Sequence, residues 1–406
     1  MIKTKQPRHF AWVILGCCCL IQGSTLGMVF NSSGIYFSAI CRDLNFQIGD
    51  LSFYLSIQGV MTCLMLPVVT VLLDRFSIKI VLSSACCLLF CTVMGMSFCS
   101  QIIHWYILGF FQGIALAFLM TVPIGLTLAN WFKKGLGIAM GLSASCSGIM
   151  GIIMNFIVSN IIVHYGWRVA YRLNAIIVFV LIFPVTALVI CFKPEEKGLL
   201  PYGEENIVSN QIDNFHPTQA SPLPIKIFLL TIVMGIFGQM SISFYSHIAM
   251  LGVSKGMAQV VAASLTSTAL VGNTLSKIAF GYISDKIGVQ VSMLLCLVNA
   301  VISFTLFRFC KGYLLFVGAL FFGMSVSFMI VLFPLFIKWV FGTHWFSKIY
   351  SIMLVPSSIC SSLSISMYGY IFDKTGSYHT ALMLCTTFAL CSMALIVVVV
   401  LWRKKR

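Results

Sequence analysis

Residues Asn273 to Gly288 read NTLSKIAFGYISDKIG. Lys277 is the one charged side chain that this sequence places deep inside a long apolar segment. The stretch continues through Gly281 and leaves the apolar segment in a short polar turn that contains Asp285 and Lys286. An ionisable group at membrane depth costs about 2.5–3.5 kcal/mol on insertion scales, so it is a candidate functional site wherever it occurs.

The composition fits a membrane-embedded chain. Of its 406 residues, 60% are hydrophobic and 9% are charged, whereas an average soluble chain has about 25% charged residues. Apolar runs long enough to cross a bilayer as helices recur from end to end. The net charge of +15 would suggest nucleic acid in a soluble protein. Here the basic residues cluster in loops and at residues 403–406, so the lipid bilayer, and not nucleic acid, is the expected partner.

Twelve apolar stretches are candidate membrane helices. They lie near residues 10–37, 51–72, 80–99, 103–129, 136–163, 169–191, 225–248, 259–282, 289–308, 313–337, 346–371 and 377–402.

The connections are short except for residues 192–224, which are polar, rich in Pro and Asn, and hold five of the ten acids. The sequence therefore predicts an all-α membrane protein with a six-helix bundle at 1–191, a linker at 192–224 and a second six-helix bundle at 225–406.

The distribution of Lys and Arg predicts the orientation. With the N-terminus on the cytoplasmic side, that side collects most of the 25 basic residues, among them Lys133, Lys134 and residues 403–406. Cytoplasmic loops carry an excess of positive charge, so both termini are expected in the cytoplasm, and the protein is expected in the plasma membrane.

The two halves repeat each other. Trp131-Phe132-x-Lys134 recurs as Trp345-Phe346-x-Lys348, and Asp74-Arg75 of the second-to-third connection recurs as Asp285-Lys286 of the eighth-to-ninth. The spacing between copies is nearly the same in both cases, which indicates a duplicated six-helix unit. Parallel six-helix repeats are a transporter architecture with the substrate site between the halves.

These motifs resemble those of the major facilitator superfamily over essentially the whole chain. Residues 73–79, LDRFSIK, are similar to that family's G-x-L-a-D-R-x-G-x-[KR] signature, although the first glycine is missing and Ser77 replaces the second. Residues 281–288, GYISDKIG, match it more closely. Residues 130–141, NWFKKGLGIAMG, and 165–168, YGWR, resemble the oxalate/formate antiporter and monocarboxylate carrier branch.

Two interpretations of Lys277 are open. It lies eight residues before Asp285, about 12 Å along a helix, so its ammonium could snorkel to the headgroups. The resemblance implies a different role, because the carboxylate branch carries a basic residue, usually Arg, at this position as the counter-ion of the substrate. We expect Lys277 to bind an anion. Lys is a point charge and not a bidentate fork, so recognition would be less strict geometrically than with Arg.

The acids support an anionic substrate by their positions. All ten lie in loops or at the ends of the apolar stretches, whereas carriers of cations and of protons usually have an Asp or Glu at membrane depth. Asn273 occupies the position at which the resemblance implies Asp in proton-coupled monocarboxylate carriers, which disfavours obligate proton symport. His247 is read as an interfacial anchor, with a proton relay as the alternative.

The resemblance also bears on the charge of the substrate. The dicarboxylate antiporter is characterised by a second lysine in its eleventh span, and residues 354–358, LVPSS, contain no cation. A single positive charge suits a monocarboxylate better than a dianion.

Other polar residues on the central helices are candidate substrate contacts, with interhelical hydrogen bonding as the alternative for each. They are Asn31, Tyr36, Gln58, Gln112, Asn155, Gln239 and Tyr245. In the fifth span, small residues repeat in two rows, one through Gly141 and one through Gly148 and Gly151, which predicts close helix contact on both.

The acidic and basic residues of the two repeated connections are candidate gating residues, with simple topogenic charge as the alternative. They are Asp74, Arg75, Asp285 and Lys286, with Gly281 and Gly288 beside them. A carboxylate there can accept hydrogen bonds from a neighbouring helix N-terminus or pair with a cation across the seam between the halves.

Together these features predict a secondary carrier that moves a small organic anion, a monocarboxylate, by alternating access. It would act as an antiporter or symporter with a counter-anion or a proton, as a monomer and without a cofactor. The sequence shows no catalytic triad, metal set or phosphate loop, so an enzyme is not expected. The alternatives are a drug or neutral-solute efflux carrier in which Lys277 is structural, and a transport-deficient receptor.

Overall fold

The computed structural model describes residues 10–203 and 225–404. Only the first part of the predicted linker, 192–203, therefore falls within the described residues. Nearly all of the described chain is helical, and the helices run back and forth along one bundle.

Fifteen α-helices follow one another in the described residues. They are α1 Ala11–Gln22, α2 Phe37–Leu44, α3 Ile48–Arg75, α4 Ile78–Met96, α5 Ile102–Leu119, α6 Thr121–Trp131, α7 Leu136–Tyr165, α8 Trp167–Pro184, α9 Ile225–Ile242, α10 Ile248–Ser254, α11 Gln259–Ile287, α12 Val289–Phe309, α13 Leu314–Ser325, α14 Phe333–Thr375 and α15 His379–Lys404.

Eleven segments of the described residues are long and apolar enough to cross a membrane. The remaining crossing, the eighth in chain order, is α11, which has 29 residues but contains Lys277 and several Ser, Thr and Asn residues that lower its hydropathy. The all-α architecture predicted from the sequence is confirmed. An even number of crossings returns the chain to its starting side. We call the side where α1 begins and α15 ends the terminal face, and the opposite side the distal face.

Several crossings depart from a continuous α-helix. The fourth breaks at Met120, between α5 and α6. Pro123 explains the break, because its ring would clash with the carbonyl four residues earlier in a continuous helix. The tenth and eleventh crossings share α14, which bends at Gly342 (φ 78°, ψ 175°) in place of a separate loop. The first crossing continues from α1 as a π-helix over Gly23–Phe30.

Buried apolar side chains form two clusters. One draws on residues between Ala11 and Cys191, with only Ala249, Ala263 and Ile365 added from the second half. The other draws entirely on residues between Ile227 and Val399. Each half of the sequence therefore packs mainly around its own apolar interior, a division that a rocking carrier needs.

Close approach of backbones fixes α11 within the bundle. A Cβ atom on Gly272 would collide with the carbonyl oxygen of Leu320 in α13, and one on Gly323 would collide with that of Ala269 in α11. On its other side α11 meets α7, where Gly148 faces Thr274 and Gly151 faces Leu270.

The second small-residue row of α7 behaves differently. No atom lies within 4 Å of the Cβ position of Gly141, and this glycine is exposed. The close contact predicted at Gly141 is therefore wrong, because this residue faces away from the neighbouring helices. The contact predicted for Gly148 and Gly151 is present.

Substituting Gly323 by Ala tests the packing of α11. The added methyl group has to displace backbone, which costs about 1–3 kcal/mol as other overpacked sites do, so the thermal unfolding temperature in detergent should fall. Gly141→Ala is the matched control, since its methyl group meets no neighbour. Equal unfolding temperatures for the two variants would contradict this account.

Candidate functional site

Lys277 lies on the side of α11 that faces the first half. Leu270 and Thr274, which contact α7, precede it by seven and three residues, and residues at these spacings share one face of a helix. The side chain is partly buried. It makes no hydrogen bond or ion pair with any described residue. Among the described residues, the one ion pair is between Arg168 and Asp43. Lys277 is therefore an unpaired cation at the seam between the halves.

Three predicted residues of the second half carry buried polar atoms that have no hydrogen-bond partner among the described residues. These atoms are Oδ1 of Asn273, Oε1 of Gln239 and the hydroxyl of Tyr245. The Tyr245 ring stacks on Phe322 of α13, with centroids 6.4 Å apart. Buried polar atoms are nearly always paired, so each unpartnered one is a position where water or a bound solute can supply the missing hydrogen bond.

Tyr36, Gln58 and Gln112 are brought together inside the first half. They line a cavity of about 10 Å³, which is room for about one water molecule. The Tyr36 ring stacks on the Tyr171 ring, with centroids 3.9 Å apart. Every residue that lines this cavity belongs to the first half, so these three side chains lie within one bundle and not on the seam.

Asn155 is completely buried in α7. Its Oδ1 accepts a hydrogen bond of 2.7 Å from the hydroxyl of Ser32 in the first crossing, while its Nδ2 has no partner in the described part of the chain. Asn31, next to Ser32, is partly exposed. The contact ties α7 to the first crossing, as expected of an interhelical hydrogen bond.

The predicted gating residues lie at the terminal face. Arg75, Asp285 and Lys286 are exposed, and the Lys286 ammonium sits 4.7 Å from the centre of the Tyr282 ring. None of the three forms an ion pair with another described residue.

The other predicted gating positions are backbone features or lie outside the described side chains. Gly288 ends α11 with φ +87°, a conformation that favours glycine. Gly281 has no neighbour within 4 Å of its Cβ position. The side chain of Asp74 lies outside the described residues.

His247 is not an interfacial residue, and the interpretation of it as an anchor was wrong. It is completely buried, and its Nε2 donates to the carbonyl of Ile365 at 2.7 Å. A carbonyl can only accept, so this bond places the proton on Nε2 and makes Nδ1 the acceptor of the Tyr378 hydroxyl, 3.0 Å away. The imidazole therefore ties together the seventh, eleventh and twelfth crossings.

Two residues of the sequence motif YGWR, Trp167 and Arg168, form a polar contact at the distal face. The carboxylate of Asp43 accepts hydrogen bonds from the Trp167 indole at 3.0 Å and from Arg168 at 2.6 Å. These hydrogen bonds lower the pKa of Asp43. The contact joins α2 to the start of α8 within the first half.

Hydrogen bonds between the halves involve residues that the sequence did not single out. Near the distal face, Asp373 accepts from the backbone of α3, Tyr370 donates to Asp50, and Gln259 donates to the carbonyl of Ile35. Farther in, Ser56 of α3 bonds to α14. Nearer the terminal face, the Cys63 thiol of α3 lies within hydrogen-bonding reach of Ser358 in α14, so contacts between the halves continue along the seam.

Comparison with protein families matches residues 18–313 to the Major Facilitator Superfamily. Among curated proteins, human "Monocarboxylate transporter 12" is 22% identical over 93% of this chain and 78% of its own length. "MFS-type transporter 1" of Ophiocordyceps sp. is 26% identical over 53% of this chain. That match spans less than half, 46%, of the fungal protein.

Among solved structures, the nucleoside transporter NupG superposes with a TM-score of 0.72 at 13% identity, covering 97% of this chain and 98% of NupG. At this identity the likeness concerns the fold. These proteins are transporters and not enzymes.

Substituting His247 by Phe tests its buried hydrogen bonds. The change keeps a ring of similar size but leaves the Ile365 carbonyl without its donor, at a cost of about 1–3 kcal/mol. The thermal unfolding temperature should fall. Tyr378→Phe, which breaks only the Nδ1 bond, should lower it less. An unfolding temperature of His247→Phe equal to that of the unmodified protein would rule out these bonds.

Proposed function

The chain belongs to the Major Facilitator Superfamily, and on that premise we propose that it carries a small organic anion, a monocarboxylate, across the plasma membrane by alternating access. Lys277 carries the proposal. It is an unpaired cation, partly buried, on the face of α11 that meets the first half. A buried cation without a counter-charge is costly, and an anionic substrate would supply that charge.

Polar groups near the seam suit the uncharged part of such a substrate. Asn273 lies one turn before Lys277 on α11, and its buried Oδ1 and the hydroxyl of Tyr245 lack partners among the described residues. We propose that Asn273, Tyr245 and Gln239 contact the substrate directly. In the first half, the hydrogen bonds of Tyr36 to Asn174 and of Asn155 to Ser32 would hold the facing wall in shape. Asn31, Gln58 and Gln112 would add polar side chains to that wall, and the buried Oε1 of Gln58 also lacks a partner among the described residues.

We propose that the terminal face is cytoplasmic, since it collects most of the Lys and Arg residues. Asp74 and Arg75, with Asp285 and Lys286, would form a latch there when the carrier faces outward. The exposure of Arg75, Asp285 and Lys286, together with hydrogen bonds between the halves near the distal face, supports an inward-facing state in which the latch is released. Gly281 leaves room for the moving connection, and Gly288 supplies the positive φ at its start.

A neutral-solute carrier is the second candidate. The unpartnered atoms of Gln239, Tyr245 and Asn273 are uncharged, and they suit the polar groups of a neutral solute as well as those of an acid. In that case Lys277 would serve structure, and anion transport would be absent.

Uptake of labelled formate, acetate, lactate and oxalate into proteoliposomes tests the proposal. We expect one monocarboxylate to be taken up, Lys277→Ala to lower its uptake at least tenfold, and Lys277→Arg to keep part of it because the charge remains. Preloading the vesicles with the unlabelled acid should accelerate uptake if a counter-anion is exchanged.

Lys255→Ala is the matched control. The Lys255 ammonium donates to the carbonyl of Cys310 within the second half, so its loss should leave uptake unchanged. Full activity of Lys277→Ala, or no uptake of any of these acids, would refute the proposal, and labelled nucleosides and other neutral solutes would then be the substrates to assay.

A disulfide across the seam tests alternating access independently of the substrate site. The hydroxyls of Ser56 and Ser366 lie 2.5 Å apart on opposite halves, and a disulfide requires Cβ atoms about 3.5–4.5 Å apart. Oxidation of the double variant Ser56→Cys, Ser366→Cys should abolish uptake by locking the distal side closed, and dithiothreitol should restore it.

The two single variants control for the native cysteines, sixteen in all, and should keep their uptake after oxidation. Undiminished uptake by a double variant in which mass spectrometry finds the disulfide would exclude separation of α3 from α14 during transport.

A further inference from the structure

The N-terminus of α3 is bound by a carboxylate from the other half of the molecule. Asp373, in the last turn of α14, accepts the backbone N–H of Ile48 at 2.9 Å through Oδ1 and that of Gly49 at 2.5 Å through Oδ2. Both oxygens of one side chain are therefore used on two successive amides of a helix that belongs to the first half.

This contact is of a strong kind. The first N–H groups of a helix have no partner within the helix, and the helix dipole favours a negative charge beside them. Hydrogen bonds to an ionised acceptor are roughly twice as strong as neutral ones. Asp373 is also partly buried, so water competes less for these amides than at an open surface.

The surrounding geometry allows the contact only when the halves are closed at the distal face. A Cβ atom on Gly369, one turn before Asp373, would lie 2.8 Å from the Cα of Gly49 and 2.6 Å from the hydroxyl of Ser52. The Tyr370 hydroxyl adds a hydrogen bond of 2.9 Å to Asp50. Because backbone touches backbone here, separating the halves breaks all of these contacts together.

We propose that Asp373 is the positioning residue that holds the distal side of the carrier closed, by binding the N-terminus of α3. The inference rests on the proposed alternating-access function, and it adds a gate at the face opposite the predicted latch. In each cycle the two hydrogen bonds form as the distal side closes and break as it opens. Asp373 touches the moving helix and not the substrate.

Accessibility of the seam tests this inference without any substrate. Ser56 lies in the seam below the contact and is buried. In vesicles, a membrane-impermeant maleimide applied at the distal face should label the Ser56→Cys variant slowly. The initial labelling rate at position 56 is measured by mass spectrometry. Adding Asp373→Ala should raise this rate about tenfold, because the closed state loses two charge-assisted hydrogen bonds. Asp373→Glu, which keeps the charge, should restore part of the slow labelling.

Asp43→Ala in the same background is the matched control. Asp43 is another distal-face acid, but its partners Trp167 and Arg168 lie in its own half, so labelling at position 56 should not change. Unchanged labelling in Asp373→Ala, with or without a lower unfolding temperature, would overturn the inference and leave Asp373 a purely structural cap. Since labelling needs no substrate, its result is separate from the uptake of anions.

Discussion

The close approach of α11 to helices of both halves is the constraint on which the arrangement of the site depends. Gly272 and Gly323 bring α11 against α13 of its own half, and Gly148 and Gly151 of α7 bring it against the other half. Between lipid-embedded helices, such small residues permit the van der Waals contact that replaces the hydrophobic effect. The same contacts orient Lys277 toward the seam, because one helical face carries both the packing residues and the cation.

Placing a lone cation there has an energetic consequence. A charge removed from water without a partner destabilises the empty carrier, and the unpartnered atoms of Asn273 and Tyr245 add to that cost. A bound anion with a polar group would relieve both. Affinity would then come from groups that the protein leaves unsatisfied, and the two apolar clusters supply the stability that makes this tolerable.

Much of the fold could be predicted from the sequence, because a bilayer requires long apolar helices and the duplicated motifs reveal the two halves. The hydropathy pattern could not show the break at Met120 or the bend at Gly342. Local backbone clashes decide the first, and φ of one glycine decides the second. The burial and the hydrogen-bond partners of the site residues could not be predicted from the hydropathy pattern. The sequence predicts an interfacial position for His247, but its imidazole is hydrogen-bonded to Ile365 and Tyr378, which are distant in the sequence. Tyr36, Gln58 and Gln112 line one cavity within the first half.

The two faces of the seam are built from different interactions. Near the distal face, the halves are joined by hydrogen bonds that involve backbone atoms, such as those that the N–H groups of Ile48 and Gly49 donate to Asp373. At the terminal face, exposed charged residues such as Asp285 and Lys286 have no ion-pair partner among the described residues. Exposed ion pairs contribute little, whereas hydrogen bonds to a helix N-terminus contribute more. On the proposed function, this asymmetry would favour the state with the distal side closed, and a ligand would shift the carrier toward the open form only by binding that form more tightly.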